Sequence, residues 1–265
     1  MKNCKIKDFL SATKDEVIDT ATNSDFLPEA VQTLGEYVVS EGVATIIGEI
    51  IGNVVPGING IRLSYKQNRF ERNIKQTLEI IAKRISALEN NFVSLNEEMQ
   101  DKFKTRYLEW LLDNIYDEKQ SEKIPYHVNG YINFMTNETN DNLMLLFFNT
   151  LNELTQLDID VLKMYDMNSE ENILTIRERY NLNFEQTMVI KEKLTRLGLL
   201  QSKNDEQRYL NIDYVVDYLI AVEKDSKKSK PRGVTLQKSK IKKPNRAESF
   251  CITRLGRSYL QIIAE

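Results

Sequence analysis

Eight apolar residues, Ile74, Leu78, Ile81, Ile85, Leu88, Phe92, Leu95 and Met99, follow one another at alternating spacings of four and three. A strand would scatter them over both faces, whereas a helix gathers them on one stripe. Sustained over more than three heptads, the stripe predicts a coiled coil or long helical hairpin within residues 66–118. It also marks these eight positions as a candidate oligomer seam, so the chain is expected to associate with copies of itself. Ser94-Leu-Asn-Glu97 has the form of a capping box that would divide the stripe into two helices. Ten Gly and five Pro in 265 residues favour helix over a turn-rich β architecture. The apolar share of 41% and charged share of 28% are those of a globular chain, so disorder is not the default.

A second segment, residues 42–61, is apolar over most of a helical circumference. Only Thr45, Glu49 and Asn53 form a polar stripe, while Gly48 and Gly52 let another backbone approach closely. Such a helix, broken at Pro56-Gly57, belongs inside protein or lipid. Glu49 near its centre would cost roughly 2.5–3.5 kcal/mol in a bilayer, which excludes a constitutive single span. Two readings stay open: a central packed helix, or a stored segment that inserts after oligomerisation with Glu49 facing a lumen.

Further along, Leu157–Tyr165, Ile173–Tyr180 and Phe184–Leu197 predict three helices in quick succession. Ile190–Leu200 then reads as a helix running through Gly198 into a strand, and Phe250–Ile263 as a returning strand and closing helix. Three helices and a strand pair are the elements of a winged helix. The fold class expected is mainly α: a helical region over 1–122, a connector over 123–141 and a winged-helix-like α+β domain over 142–265. Its wing carries a long insertion, residues 204–247, in which Asn211–Glu223 should form an additional helix. The net charge of −3 conceals a segregation. Residues 224–246 hold ten Lys or Arg against Asp225 alone, so that tract carries +9 and the rest of the chain −12. Within it, Lys227, Lys228, Lys230, Arg232, Lys238, Lys240, Lys242, Lys243 and Arg246 are candidates for binding nucleic acid or an anionic membrane surface. A solvated loop is the third reading.

Catalytic signatures are missing from the sequence. There is no Gly-rich phosphate loop ending in Lys, no His-Glu-x-x-His, no Gly-x-Ser-x-Gly and no Cys-x-x-Cys. The single histidine, His127, falls in the expected connector with no second ligand near it in sequence. No enzyme activity, cofactor or metal is therefore expected. Two cysteines fit a reducing cytoplasm, and no signal-like apolar run follows the first residues. The reading helix of such a fold, here Phe184–Leu197, mixes Glu185 and Glu192 with Lys191, Lys193 and Arg196, a poor reader of a major groove.

Four pieces in order resemble the abortive-infection alpha (Abi-alpha) proteins of bacteria and their mobile elements. They are the apolar helix Leu143–Leu151, Leu157-Asp-Ile-Asp-Val-Leu162, Lys193-Leu-Thr-Arg-Leu-Gly-Leu199 and Ile252-Thr-Arg-Leu-Gly-Arg257. The resemblance covers roughly residues 140–263 and implies a phage-defence role, with a phage or host protein as partner and no catalytic residues to carry over. The expected function is thus a non-enzymatic defence protein, its helical half the effector or oligomerisation element and its winged helix a docking or sensing module. The alternatives are a nucleic-acid-binding regulator dimerised through the heptad stripe, and a structural adaptor. The protein is expected in the cytoplasm, reaching a membrane only on activation.

Overall fold

The computed structural model describes residues 3–13, 28–52, 64–136, 140–166, 171–230, 232–243 and 249–265. The chain is mainly α-helical with two small antiparallel sheets. It divides into two units, residues 1–156 together with 260–265, and residues 157–259.

In the first unit, β1 (Asn3–Lys5) pairs antiparallel with β2 (Val38–Ser40), Cys4 facing Val39. Helices α1 (Ile6–Thr13) and α2 (Pro28–Gly35) lie between them in sequence. Next comes α3 (Glu41–Gly52), the described part of the Gly-rich segment. Val43, Ala44, Ile46, Ile47, Ile50 and Ile51 are buried in it, so its apolar arc is satisfied by protein. The small residues work as the spacing implies: the Phe92 ring lies over Gly42, and Leu10 and Phe9 pack at Gly48. Glu49 is exposed. Asn53 and Pro56 lie outside the described residues. Among those described, no helix is long and apolar enough to cross a membrane.

The heptad stripe proves helical but not continuous. It runs through α4 (Ser64–Lys83), α5 (Ile85–Ser94) and α6 (Glu97–Lys104), followed by α7 (Arg106–Asp117). One break falls at Arg84 and the next at Leu95-Asn96, where Asn96 and not Ser94 caps α6 by accepting the Met99 N–H. Gln100 reaches back from α6 to donate to the Phe92 and Leu95 carbonyls at the end of α5. The candidate oligomer seam is corrected accordingly. Ile74, Leu78, Ile81, Ile85, Leu88 and Phe92 are all buried inside the unit, with Leu95 and Met99 half-buried. A stripe already covered by its own chain has no face left for a second copy.

The stretch expected as a connector is the central helix instead. Helix α8 (Ile124–Phe134) packs against α4, α5 and α7, and every residue from His127 to Ile132 is buried. Pro125 stands in its first turn, where a missing N–H costs nothing. Gly130 lets the Phe147 ring of α9 (Asp141–Glu153) sit against the backbone. A polar ladder runs through this core. Arg84 donates to the Asn129 and Asn133 side-chain oxygens at 2.8 and 2.9 Å. Those amides donate onward to the carbonyls of Ile263, and of Ile262 and Ala264. The open carbonyls at the end of the last helix are thereby satisfied.

The second unit has α10 (Gln156–Met164, from Leu157), α11 (Ile173–Tyr180) and α12 (Phe184–Arg196), then β3 (Leu200–Ser202) and β4 (Phe250–Ile252). The strands pair antiparallel, Leu200 with Ile252 and Ser202 with Phe250. Gly198 leaves α12 at φ +73, a left-handed turn that suits glycine. The last helix, α14 (Arg254–Ile263), begins at Thr253, whose hydroxyl accepts the Gly256 N–H and donates to Gly198 O. Between β3 and β4 rises α13 (Lys203–Ser226), much longer than the additional helix expected over Asn211–Glu223.

Candidate functional site

Ser202 opens α13 by accepting the Asp205 N–H, and the helix then runs for 24 residues with only Asn204 and Asp225 buried. Such a helix draws no stability from a core of its own. What holds it is the chain that follows. Asp225 accepts the backbone N–H groups of Arg232 and Gly233 at 2.9 and 2.8 Å, and Lys228 at 3.0 Å. Gly233 turns there with φ +76. The chain returns along the helix: the Gln237 N–H donates to the Tyr214 hydroxyl, and Asn211 exchanges two hydrogen bonds with the Lys242 backbone. Lys240 stands 5.4 Å from the Tyr214 ring centroid. The basic tract is therefore a strap folded along one face of a helical arm.

Eight cations and no acid lie between residues 227 and 243. All eight are exposed. Lys227 pairs with Glu223, Lys228 with Asp225, and Lys240 with the tyrosine ring. The Lys228 hydrogen bond, then the Gly233 N–H, holds the Asp225 carboxyl below its usual range, so the anchor stays charged at neutral pH. Lys230, Arg232, Lys238, Lys242 and Lys243 present their charge to water. Arg246 lies outside the described residues.

The opposite face of the arm was named in sequence as helix but not as a site. At 100° per residue, Tyr209, Ile212, Val216 and Leu219 fall within about an 80° arc, flanked by Val215 and Ile220. They are 68, 57, 46 and 57% exposed. The signal was legible, since their spacing is three, four, three. What hid it is the low overall amphipathicity of α13, whose tyrosines and aliphatics encircle the helix because the strap covers the other side.

On α12 two of the three bases turn inward, while Arg196 is exposed. Lys193 pairs with Asp158 at 2.6 Å, and Lys191 lies within 6.0 Å of the Tyr165 and Phe250 ring centroids, its pKa lowered by burial. The outward face shows Phe184 and Val189, 66 and 64% exposed, beside Glu185 and Glu192.

A groove of about 470 Å³ is lined by Thr45 and Glu49 of α3 and by Asp101, Lys104, Glu109 and Asp113. Thr45 and Glu49, the described members of the polar stripe read from the sequence, face it. Deeper in, Glu118 gathers Lys123 at 2.7 Å and His127 at 3.2 Å, all three buried. Its second oxygen accepts the Lys119 and Gln120 N–H groups. Burial alone pushes this carboxyl up, but hydrogen bonds from His127, Lys123 and the Gln120 N–H reverse the effect and hold it at about 2. Burial also pushes His127 below its usual value, against the attraction of Glu118. The imidazole is thus neutral, with Nε2–H donating to Glu118 and the ring stacked on Phe148. Every lone pair of the carboxylate is engaged, so the cluster fixes the turn between α7 and α8. Among the described residues, no three His, Cys, Asp or Glu side chains group as a metal site. Comparison of the chain with protein-family models, with curated proteins and with solved structures gives no match to any of them.

Proposed function

We propose that the protein is an interaction factor of the abortive-infection kind, its second unit a winged-helix-like module that docks a protein partner. One observation carries the reading. The helix that would enter a DNA groove spends Lys191 and Lys193 on contacts within the chain and offers Phe184, Val189, Glu185 and Glu192 to the outside, with Arg196 the one exposed base among them. Exposed apolar residues beside two acids and a single base suit a protein surface better than a phosphate backbone. The defence role rests on the resemblance of residues 140–263. Expression in a bacterial host under phage challenge tests both parts. The wild-type chain is expected to lower phage yield, and Phe184→Asp with Val189→Asp to abolish the effect at unchanged helical circular dichroism. No protection by the wild type sinks the defence role, and full protection by the double variant sinks the docking face.

The strap favours a second reading, a nucleic-acid-binding role, because a protein that neutralises several phosphates releases their counterions. Affinity for a DNA duplex is then expected to fall steeply with salt. Replacing Arg232, Lys238, Lys242 and Lys243 by Gln is expected to flatten that slope. Binding indifferent to salt, or to these substitutions, removes the reading.

A further inference from the structure

The bare face of α13 is symmetric in a way its function as a lone helix does not require. About a centre at residue 214, Tyr209 mirrors Leu219 and Ile212 mirrors Val216. Beyond them on the same stripe Asp205 mirrors Glu223, each already carrying a cation: Arg208 lies 2.8 Å from Asp205, and Lys227 pairs with Glu223. We propose that this arm pairs antiparallel with the same arm of a second copy of the chain, making the protein a homodimer through its wing insertion.

Antiparallel packing places Tyr209 against Leu219 of the partner subunit and Ile212 against Val216 of the partner subunit, so large and small side chains alternate along the seam. Parallel packing would instead set the two tyrosine rings against each other. In the first arrangement the two helix dipoles oppose. The acids closing the stripe enter already neutralised by Arg208 and Lys227. Covering six large side chains on each copy removes on the order of 1,000 Å² from water, the lower bound for a specific interface. The strap leaves this face open because Asn211, Tyr214 and Asp225, which hold it, all point the other way. The inference is independent of the docking role of α12, which lies on a different helix.

Sedimentation of the full chain is expected to show a dimer at micromolar concentration. Ile212→Asp with Val216→Asp, both at exposed positions, should raise the dimer dissociation constant at least 100-fold while circular dichroism stays unchanged. Orientation is read by oxidation in a Cys4→Ser, Cys251→Ser background. Tyr209→Cys mixed with Leu219→Cys is expected to give the crossed disulfide, and Tyr209→Cys alone to give none. A monomeric wild type, a dimer that survives the double aspartate, or self-linkage of Tyr209→Cys each overturns the proposal.

Discussion

Glu118, Lys123 and His127 show how a group that resembles a catalytic cluster can be purely architectural. A reactive carboxylate keeps a lone pair for its substrate, and Glu118 keeps none. Breaking a buried pair strands the remaining charge, so Lys123→Met is expected to destabilise the first unit by about 3–5 kcal/mol. Trp110, the only tryptophan, reports this as a lower urea midpoint in fluorescence. The pH dependence has a definite sign. The unfolded chain protonates His127 near 6.5, whereas the buried ring resists, so stability present above that value is lost as pH falls. Glu118 adds a further loss from about pH 4.5 downward, since its folded value is about 2. The urea midpoint should therefore drop between pH 7 and 5, and His127→Gln should flatten that drop. An unchanged midpoint over this range would show that the ring protonates in place.

At the scale of elements, periodicity was legible and partnership was not. The stripe from Ile74 to Met99 announced burial, but a one-dimensional pattern does not say which surface does the burying, and here it is the chain's own helices. Thr45 and Glu49 were read as the wet side of α3, and they line a groove. The connector that became α8 was hidden by Pro125 and Gly130, both ordinary breakers, each tolerated for a local reason. The Arg84 ladder was unreadable because its members lie 45 to 134 residues apart. Gly256 was read as part of a motif, and its reason is spatial: a Cβ there would stand 2.3 Å from the Leu199 carbonyl oxygen. That carbonyl also accepts the Thr253 N–H at 3.1 Å and cannot withdraw. Gly256→Ala gains up to about 1 kcal/mol of helix propensity and is expected to lose more, with a net cost of about 1–2 kcal/mol. The cost should appear in the circular dichroism transition and leave the Trp110 transition in place, since Trp110 belongs to the other unit.

For the whole molecule, the division of the sequence matters more than the number of helices. Residues 260–265 belong to the first unit although residues 157–259 form the second. Ile263 is buried, and the last carbonyls are held by Asn129 and Asn133. Deleting residues 260–265 is expected to lower the Trp110 urea midpoint by about 2–4 kcal/mol equivalent, because it removes a packed side chain and leaves buried amides without acceptors. A midpoint equal to wild type would make the ladder ornamental. The same arrangement sets an order of events during synthesis. At about 5–20 residues per second, the ribosome needs roughly 5–20 s to travel from Gln156 to Leu260, and the first unit waits that long for its final piece. A chain cut short anywhere in the second unit leaves both units missing a part. Products cut short there are therefore exposed to proteolysis in both units.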